Sequence, residues 1–335
     1  MLLPYRDSAA TLQEALDSVL ADLGVHDELV AIDDGSRDCS AGLVRSRRAV
    51  DARVVSVASG GCPERAAGIA AALARGVVVS RGELVARMDA DDISLAGRFA
   101  AEQALLESDA TLGAVAVQVE AFPAPGPGMQ RYVAWQNALV SRADHARAIF
   151  CESPLCHPST MMRRSALLAV GGYQSDTWAE DYDLWLRLDA AGYGLAKVPR
   201  VLFRWRMRPG SLTWTDARLS SARLLETRAA HLAHRLHRIA RPFAVWGAGQ
   251  TGRRLARALE AHDLRPVAFV DIDPRKIGGT ARGAAITSAA EGIARASAAE
   301  LLLVVAVGAA GARDLVRDRL AAAGLIEGAA FVCAA

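Results

Sequence analysis

The chain has 335 residues, room for two domains, and its 39 basic and 37 acidic side chains leave a formal net charge of +2. Arginines interspersed with acids draw no basic stripe, so nucleic acid is excluded as a partner. No apolar run approaches the ~20 residues of a membrane span. Met1-Leu2-Leu3 is too short for a signal-peptide core before Pro4-Tyr5-Arg6-Asp7. The five cysteines are scattered and odd in number, which fits reduced thiols and a cytoplasmic location. Cys151, Cys156 and His157 lack the paired spacing of a zinc site.

Asp7 or Ser8 is placed to cap a first helix in which Leu12, Ala15, Leu16, Val19 and Leu20 share one face. Residues 28–32 then read as a short apolar strand ending in Asp33-Asp34-Gly35-Ser36, carboxylates followed by a turn. Residues 54–57 read as a further strand. Pro63 to Arg75 reads as a helix with Pro in its first turn and Gly76 past its end. The next apolar run, Gly82 to Ala86, leads into Met88-Asp89-Ala90-Asp91-Asp92. Strands alternating with helices imply a mainly parallel sheet whose carboxyl edge collects Asp34 and Asp91 in one crevice. Hard carboxylate oxygens there suit Mg²⁺ or Mn²⁺, an ion that completes its shell with substrate phosphates, so Asp89 and Asp91 read as a metal-diphosphate clamp. An acidic turn capping the next helix is the plainer alternative.

Leu112 to Val119 reads as a buried strand closing this half, and Pro123 to Gly128 as a flexible loop. An irregular, aromatic-rich stretch follows. Trp178 to Leu188 forms a helix whose apolar face is Leu184, Trp185 and Leu188, with Glu180 and Asp181 in its first turn, where the helix dipole favours negative charge. From Asp216 to Arg241, Leu225, Ala229, Leu232, Leu236 and Ile239 mark a long amphipathic helix, joining two domains or pairing with a second copy, that Pro242 stops. A second unit opens with the strand Phe243 to Trp246, the turn Gly247-Ala248-Gly249-Gln250-Thr251-Gly252, a helix from Arg253 to His262, and a strand ending in Asp271. This is the order of a dinucleotide fold. Gly247, Gly249 and Gly252 let backbone approach a pyrophosphate, and Asp271 is placed for ribose hydroxyls, favouring NAD or another nucleotide. At about half the size of a full dinucleotide domain, the unit equally admits a structural or regulatory role.

Pro4 with the helix after it, Asp33-Asp34-Gly35-Ser36, Asp89-Ala90-Asp91-Asp92, His157-Pro158-Ser159 and Glu180-Asp181-Tyr182-Asp183-Leu184-Trp185-Leu186-Arg187 together resemble the family 2 glycosyltransferases of GT-A fold, over roughly residues 1 to 210. The chain departs from the family in its short first strand and in Tyr5-Arg6-Asp7, where the family often has a Tyr-Asn pair. The resemblance implies a nucleotide-diphosphate sugar donor held by Pro4, Asp33, Asp34, Asp89 and Asp91. Asp34 meets the base, Asp91 binds Mn²⁺ or Mg²⁺ with Asp89 nearby, His157 and Glu180 lie on the acceptor side, and Asp181 is the catalytic base. A glycan or other hydroxyl acceptor attacks with inversion, in cell-surface polysaccharide synthesis. The implied architecture is α/β: a GT-A domain over 1–215, a linker helix over 216–241, through which copies could self-associate, and a small Rossmann-like domain over 242–335. Two other classes fit part of the pattern. A non-catalytic sugar-nucleotide sensor has no need of Asp181, and a metal-dependent nucleotidyltransferase needs a glycine-rich basic loop that Leu2-Leu3-Pro4-Tyr5-Arg6 is not.

Overall fold

The computed structural model describes residues 1–62, 64–174, 178–211, 215–309 and 311–335. The chain divides into two compact units, one of Met1–His145 with Ser153–Asp216, the other of Ala146–Glu152 with Ala217–Ala335.

In the first unit, β1 (Leu2–Tyr5), β2 (Leu29–Asp33) and β3 (Val54–Ala58) pair in parallel. Helix α1 (Leu12–Leu20) buries the five predicted apolar residues and no others. Its N-cap is Thr11, not Asp7 or Ser8, and no side chain caps it. Asp7 turns outward at φ 46° and accepts from the backbone N–H of Arg37, while Ser8 supplies the carbonyl that Leu12 N–H bonds at 2.9 Å. After α2 (Ser40–Val50), the third helix, α3 (Ile69–Val79), starts later than the pattern predicts; Pro63 lies outside the described residues. Residues 64–68 are non-helical because Asp34 takes the N–H groups of Ala67 and Gly68. Gly76 lies inside α3, where a Cβ would stand 2.8 Å from Ile32 Cδ1: the glycine brings helix and sheet together instead of ending the helix.

The strands after it are β4 (Leu84–Ala86), β5 (Ile93–Ser94), β6 (Leu112–Phe122), β7 (Thr160–Arg163) and β8 (Gly194–Arg206), ordered β4-β7-β6-β8-β5. Only β6 and β8 are parallel in this sheet, so the expected mainly parallel sheet is instead mixed. A parallel bridge from Leu2 to Arg87, with Met88 N–H donating to Leu2 O, joins it to β1. Between the strands lie α4 (Arg98–Ser108), α5 (Pro127–Ala138), α6 (Arg142–Ala148), which runs across the unit boundary, α7 (Arg164–Ala169) and α8 (Glu180–Ala190). Pro127 therefore opens a helix within the predicted loop, and the stretch expected to be irregular is largely helical. One apolar core fills the unit, from Leu3, Leu16 and Ala31 to Met88, Val117 and Phe203. Arg98 and Glu102 pass through it fully buried: Arg98 Nε lies 3.2 Å from Glu102 and its Nη2 donates to the carbonyl of Arg87 at 2.9 Å. Burial pushes Glu102 up to about 8 against the pull of Arg98.

The second unit contains α9 (Ser221–Ile239), β9 (Phe243–Trp246), α10 (Gln250–Glu260), β10 (Ala268–Asp271), β11 (Thr280–Ala281), β12 (Ala284–Ser288), α11 (Ala289–Ser297), β13 (Leu302–Val305), α12 (Ala312–Ala322) and β14 (Phe331–Cys333). Its sheet runs β11-β12-β10-β9-β13-β14, parallel except for β11. Strand order builds outward from β9 first to one side and then to the other, so the direction of winding reverses beside β9. Helix α9 belongs to this unit rather than standing as a free linker. It packs on α10 and buries Thr227, Ala229, Leu232, Ala233 and Leu236 in the single chain, while Leu225 and Ile239 of the expected face stay partly exposed. Among the described residues, no helix is long and apolar enough to cross a membrane.

Candidate active site

The register of the first unit explains how distant residues meet. Strands β1 and β2 and the 84–88 segment run parallel, so Asp33-Asp34 and Asp89–Asp92 leave at the same sheet edge. The loop from β1 to α1 touches both: Arg6 donates to Asp34 O at 3.0 Å and Thr11 to Ala90 O at 2.9 Å. Pro4 is buried within β1.

Asp89, Asp91 and Asp92 offer carboxylate oxygens that all lie within 4.8 Å of one another. Asp89 pairs with Arg87 at 2.6 Å. Asp91 pairs with Arg208 at 2.5 Å, and Asp92 accepts from the Arg206 backbone N–H at 2.7 Å. Strand β5, just after the acids, pairs antiparallel with the end of β8 and so delivers Arg206 and Arg208 from more than a hundred residues away. Burial, then the neighbouring Asp89, raises the Asp91 carboxyl above the usual carboxylate range, and the same causes with Asp91 raise Asp92 further. Asp92 Oδ2 is buried without a hydrogen-bond partner. Three converging hard donors with one orphaned oxygen fit a Mg²⁺ or Mn²⁺ ion. Sequence reasoning chose Asp89 and Asp91 but gave no role to Asp92, Arg206 or Arg208.

At the end of β2, Asp33 closes a tight turn by accepting from Ser36 N–H at 2.9 Å and Ser36 Oγ at 2.7 Å. Asp34, 7 % exposed, accepts from Ser59 Oγ at 2.5 Å, Ala67 N–H at 2.8 Å and Gly68 N–H at 3.0 Å. Its carboxylate thus fixes the loop that roofs this part of the edge.

Glu180 and Asp181 open α8 as predicted, in its first turn. Asp181 is half-buried and accepts from Ser153 Oγ at 3.5 Å; Tyr132 of α5 holds Ser153 by donating to its carbonyl at 2.9 Å. Burial pushes the Asp181 carboxyl up, with Tyr182 N–H and Arg87 pulling the other way. His157, only 6 % exposed, stands in the interior: Nε2 is 3.1 Å from Tyr173 OH, Nδ1 is 3.9 Å from Glu180, and Trp185 meets its ring edge-on. Burial, with the charge of Arg87, drives its pKa well below the usual value. Asp183, part of the Glu180–Arg187 motif, pairs with Arg187 at 2.7 Å, and Arg187 donates to the carbonyls of Val170 and Gly172. Buried Arg87 pairs with Asp89, and its positive charge favours the ionised form of Asp181.

In the second unit, Gly247 has φ 117° and a Cβ there would meet Ala306 O at 2.5 Å. A Cβ on Gly252 would strike Gly247 O, while Gly249 faces open space. The three glycines thus have two structural duties and one vacancy, beside the point where the winding reverses. Asp271 accepts from Ala248 N–H at 3.0 Å, Asp273 N–H at 2.9 Å and Lys276 Nζ at 3.0 Å. Burial opposes ionisation, but these donors outweigh it and hold the carboxyl below its usual range.

The mixed sheet with acids at its strand ends and an acid pair at a helix start place the first unit in the α/β class. Residues 2–171, just over half of the chain, match the family model of glycosyl transferase family 2, and the chain belongs to that family. It is 28% identical over 204 residues to the amylovoran biosynthesis glycosyltransferase AmsE of Erwinia amylovora, covering 60% of this chain and 72% of the relative. It is 27% identical over 210 residues to the UDP-Gal:alpha-D-GlcNAc-diphosphoundecaprenol beta-1,3-galactosyltransferase of Escherichia coli, covering 62% and 72%. A similar fold is found in S. aureus TarS 1-349 in complex with UDP-GlcNAc, with a TM-score of 0.55 at 14% identity over 78% of this chain and 71% of that one.

Proposed function

We propose that this glycosyltransferase moves a sugar from a nucleotide-diphosphate donor to a hydroxyl of a glycan or similar acceptor, with inversion, on the cytoplasmic side of cell-surface polysaccharide synthesis. The observation that carries it is the convergence of the Asp89, Asp91 and Asp92 carboxylates within 4.8 Å of one another, in the same unit whose helix α8 begins with Glu180 and Asp181. One domain then holds a site for a diphosphate and a site for a base. Asp89, Asp91 and Asp92 would hold Mg²⁺ or Mn²⁺, a Lewis acid that stabilises the charge left on the diphosphate. Asp34 and the loop it fixes face the nucleotide base, with Pro4 and Asp33 shaping the same edge. Asp181 takes the proton of the attacking hydroxyl, and its raised pKa makes it a stronger acceptor than an ordinary carboxylate. Glu180, beside buried His157, lines the acceptor side.

Asp181→Asn keeps size and helix-start hydrogen bonding but cannot take a proton. Turnover is expected to fall ~10²–10⁴-fold with donor affinity nearly unchanged. Wild-type turnover in that variant, measured with the donor identified by a nucleotide-sugar screen, would remove Asp181 from the role. For the second unit, the open position at Gly249 beside the winding reversal supports a Rossmann-like domain that binds NAD or another nucleotide in a regulatory or structural capacity.

A further inference from the structure

Each acid of the cluster has a cationic or N–H partner, but the three partners differ in freedom. Arg87, whose side chain is 4% exposed, is built into the interior, and the Arg206 N–H that serves Asp92 is fixed by β8. Arg208 stands two residues beyond the end of β8, followed by Pro209 and by Gly210 at φ 85°. Its side chain is 45% exposed, against 14% for Asp91, and Nε lies 2.5 Å from Asp91 Oδ2. Arg206 Nε meanwhile holds Asp91 by its backbone carbonyl at 2.5 Å, so the loop keeps its place without Arg208.

We propose that Arg208 is a built-in counter-cation for the acid cluster: it compensates Asp91 while the site is empty, competes with the divalent ion for that carboxylate, and on donor binding turns to the diphosphate. The inference rests on the donor site proposed above. Three carboxylates within 4.8 Å repel one another, and a cation held against one of them relieves that repulsion in the free protein. The arginine of the pair is the solvent-facing partner, so it can exchange the carboxylate for another anion without moving out of a packed interior. Its planar fork suits phosphate oxygens as well as carboxylate, so release from Asp91 leaves Arg208 able to grip the incoming diphosphate. Free metal should therefore bind poorly, and metal with diphosphate together should bind well.

The test titrates Mn²⁺ into the full chain, followed by the paramagnetic resonance signal of free ion, with and without UDP, ADP or GDP. Arg208→Ala should bind Mn²⁺ alone about 5–10-fold more tightly than wild type and a nucleoside diphosphate with Mn²⁺ about 5–10-fold more weakly, the opposite signs that competition followed by transfer requires. Arg208→Lys keeps the charge and should hold free Mn²⁺ affinity near wild type. Unchanged or weakened Mn²⁺ binding in Arg208→Ala overturns the inference while leaving the donor site standing. A wild-type protein that takes neither Mn²⁺ nor any of the three diphosphates overturns both.

Discussion

Asp181 illustrates how a single side chain acquires its chemistry from its surroundings. Its first-turn position would favour the ionised form, yet burial outweighs those hydrogen bonds and raises its pKa. The acidic limb of kcat/KM should therefore lie above the ~3.9 of a free aspartate. Ser153 donates to the ionised form, so Ser153→Ala should move that limb upward by less than about one unit. A pH profile showing the limb unmoved or lowered would deny Ser153 this influence. Asp91 and Asp181 were legible in the sequence because acids directly after an apolar strand, or at the start of an amphipathic helix, stand out locally. Asp92 was visible too, but its burial was not. His157 was assigned to the acceptor side by resemblance, and only the packing of Tyr173 and Trp185 around it reveals that its ring is buried.

Among the elements, α4 depends on a pair that no periodicity announces. Arg98 at its start and Glu102 one turn on lie wholly inside, and Arg98 ties α4 to the carbonyls of Arg87 and Thr160 while stacking near Phe203 at 4.9 Å. Removing one member of such a pair leaves the other buried without its partner. Glu102→Ala is expected to cost ~3–5 kcal/mol of stability. Urea unfolding at neutral pH checks this, and a loss below about 1 kcal/mol would show that the carbonyls and rings alone satisfy Arg98. The buried face of helix α1 was legible to the residue because its five apolar side chains recur at helical spacing, although its cap was not. Helix α3 was misplaced because Asp34, thirty-odd residues away, withdraws the N–H groups of Ala67 and Gly68 from any earlier turn. Helices α5 to α7 were missed because they bury few side chains and carry little apolar periodicity.

For the whole molecule, the described residues form three sheets: a three-stranded and a five-stranded one in the first unit, joined by the Leu2–Arg87 bridge, and a six-stranded one in the second. If the second unit binds a nucleotide where its winding reverses, a side chain at the open Gly249 position should block the ligand without disturbing the fold. Gly249 has φ −82°, an ordinary backbone conformation, and no atom stands within 4 Å of the Cβ position. Gly249→Val in the full chain should thus melt like wild type yet lose at least about tenfold in affinity for whichever of NAD, NADP or a nucleotide-sugar the wild type binds by calorimetry. Equal binding by both proteins would place the ligand elsewhere, and binding of none by either would leave a structural unit.

The sequence by itself determined the chemistry on offer: which strands end in carboxylates, which helix begins with them, where glycines permit a close turn, and that strands and helices alternate. Those are local properties, set by side-chain pattern and backbone preference within a few residues. Tertiary structure alone decided the mixed strand order, the assignment of Ala146–Glu152 and α9 to the second unit, and the partners of each acid. Strand register joins residues far apart in the chain, and burial sets which charges are neutralised, exposed or free to move. That is why Arg208 became visible only when β5 was seen to run beside the end of β8.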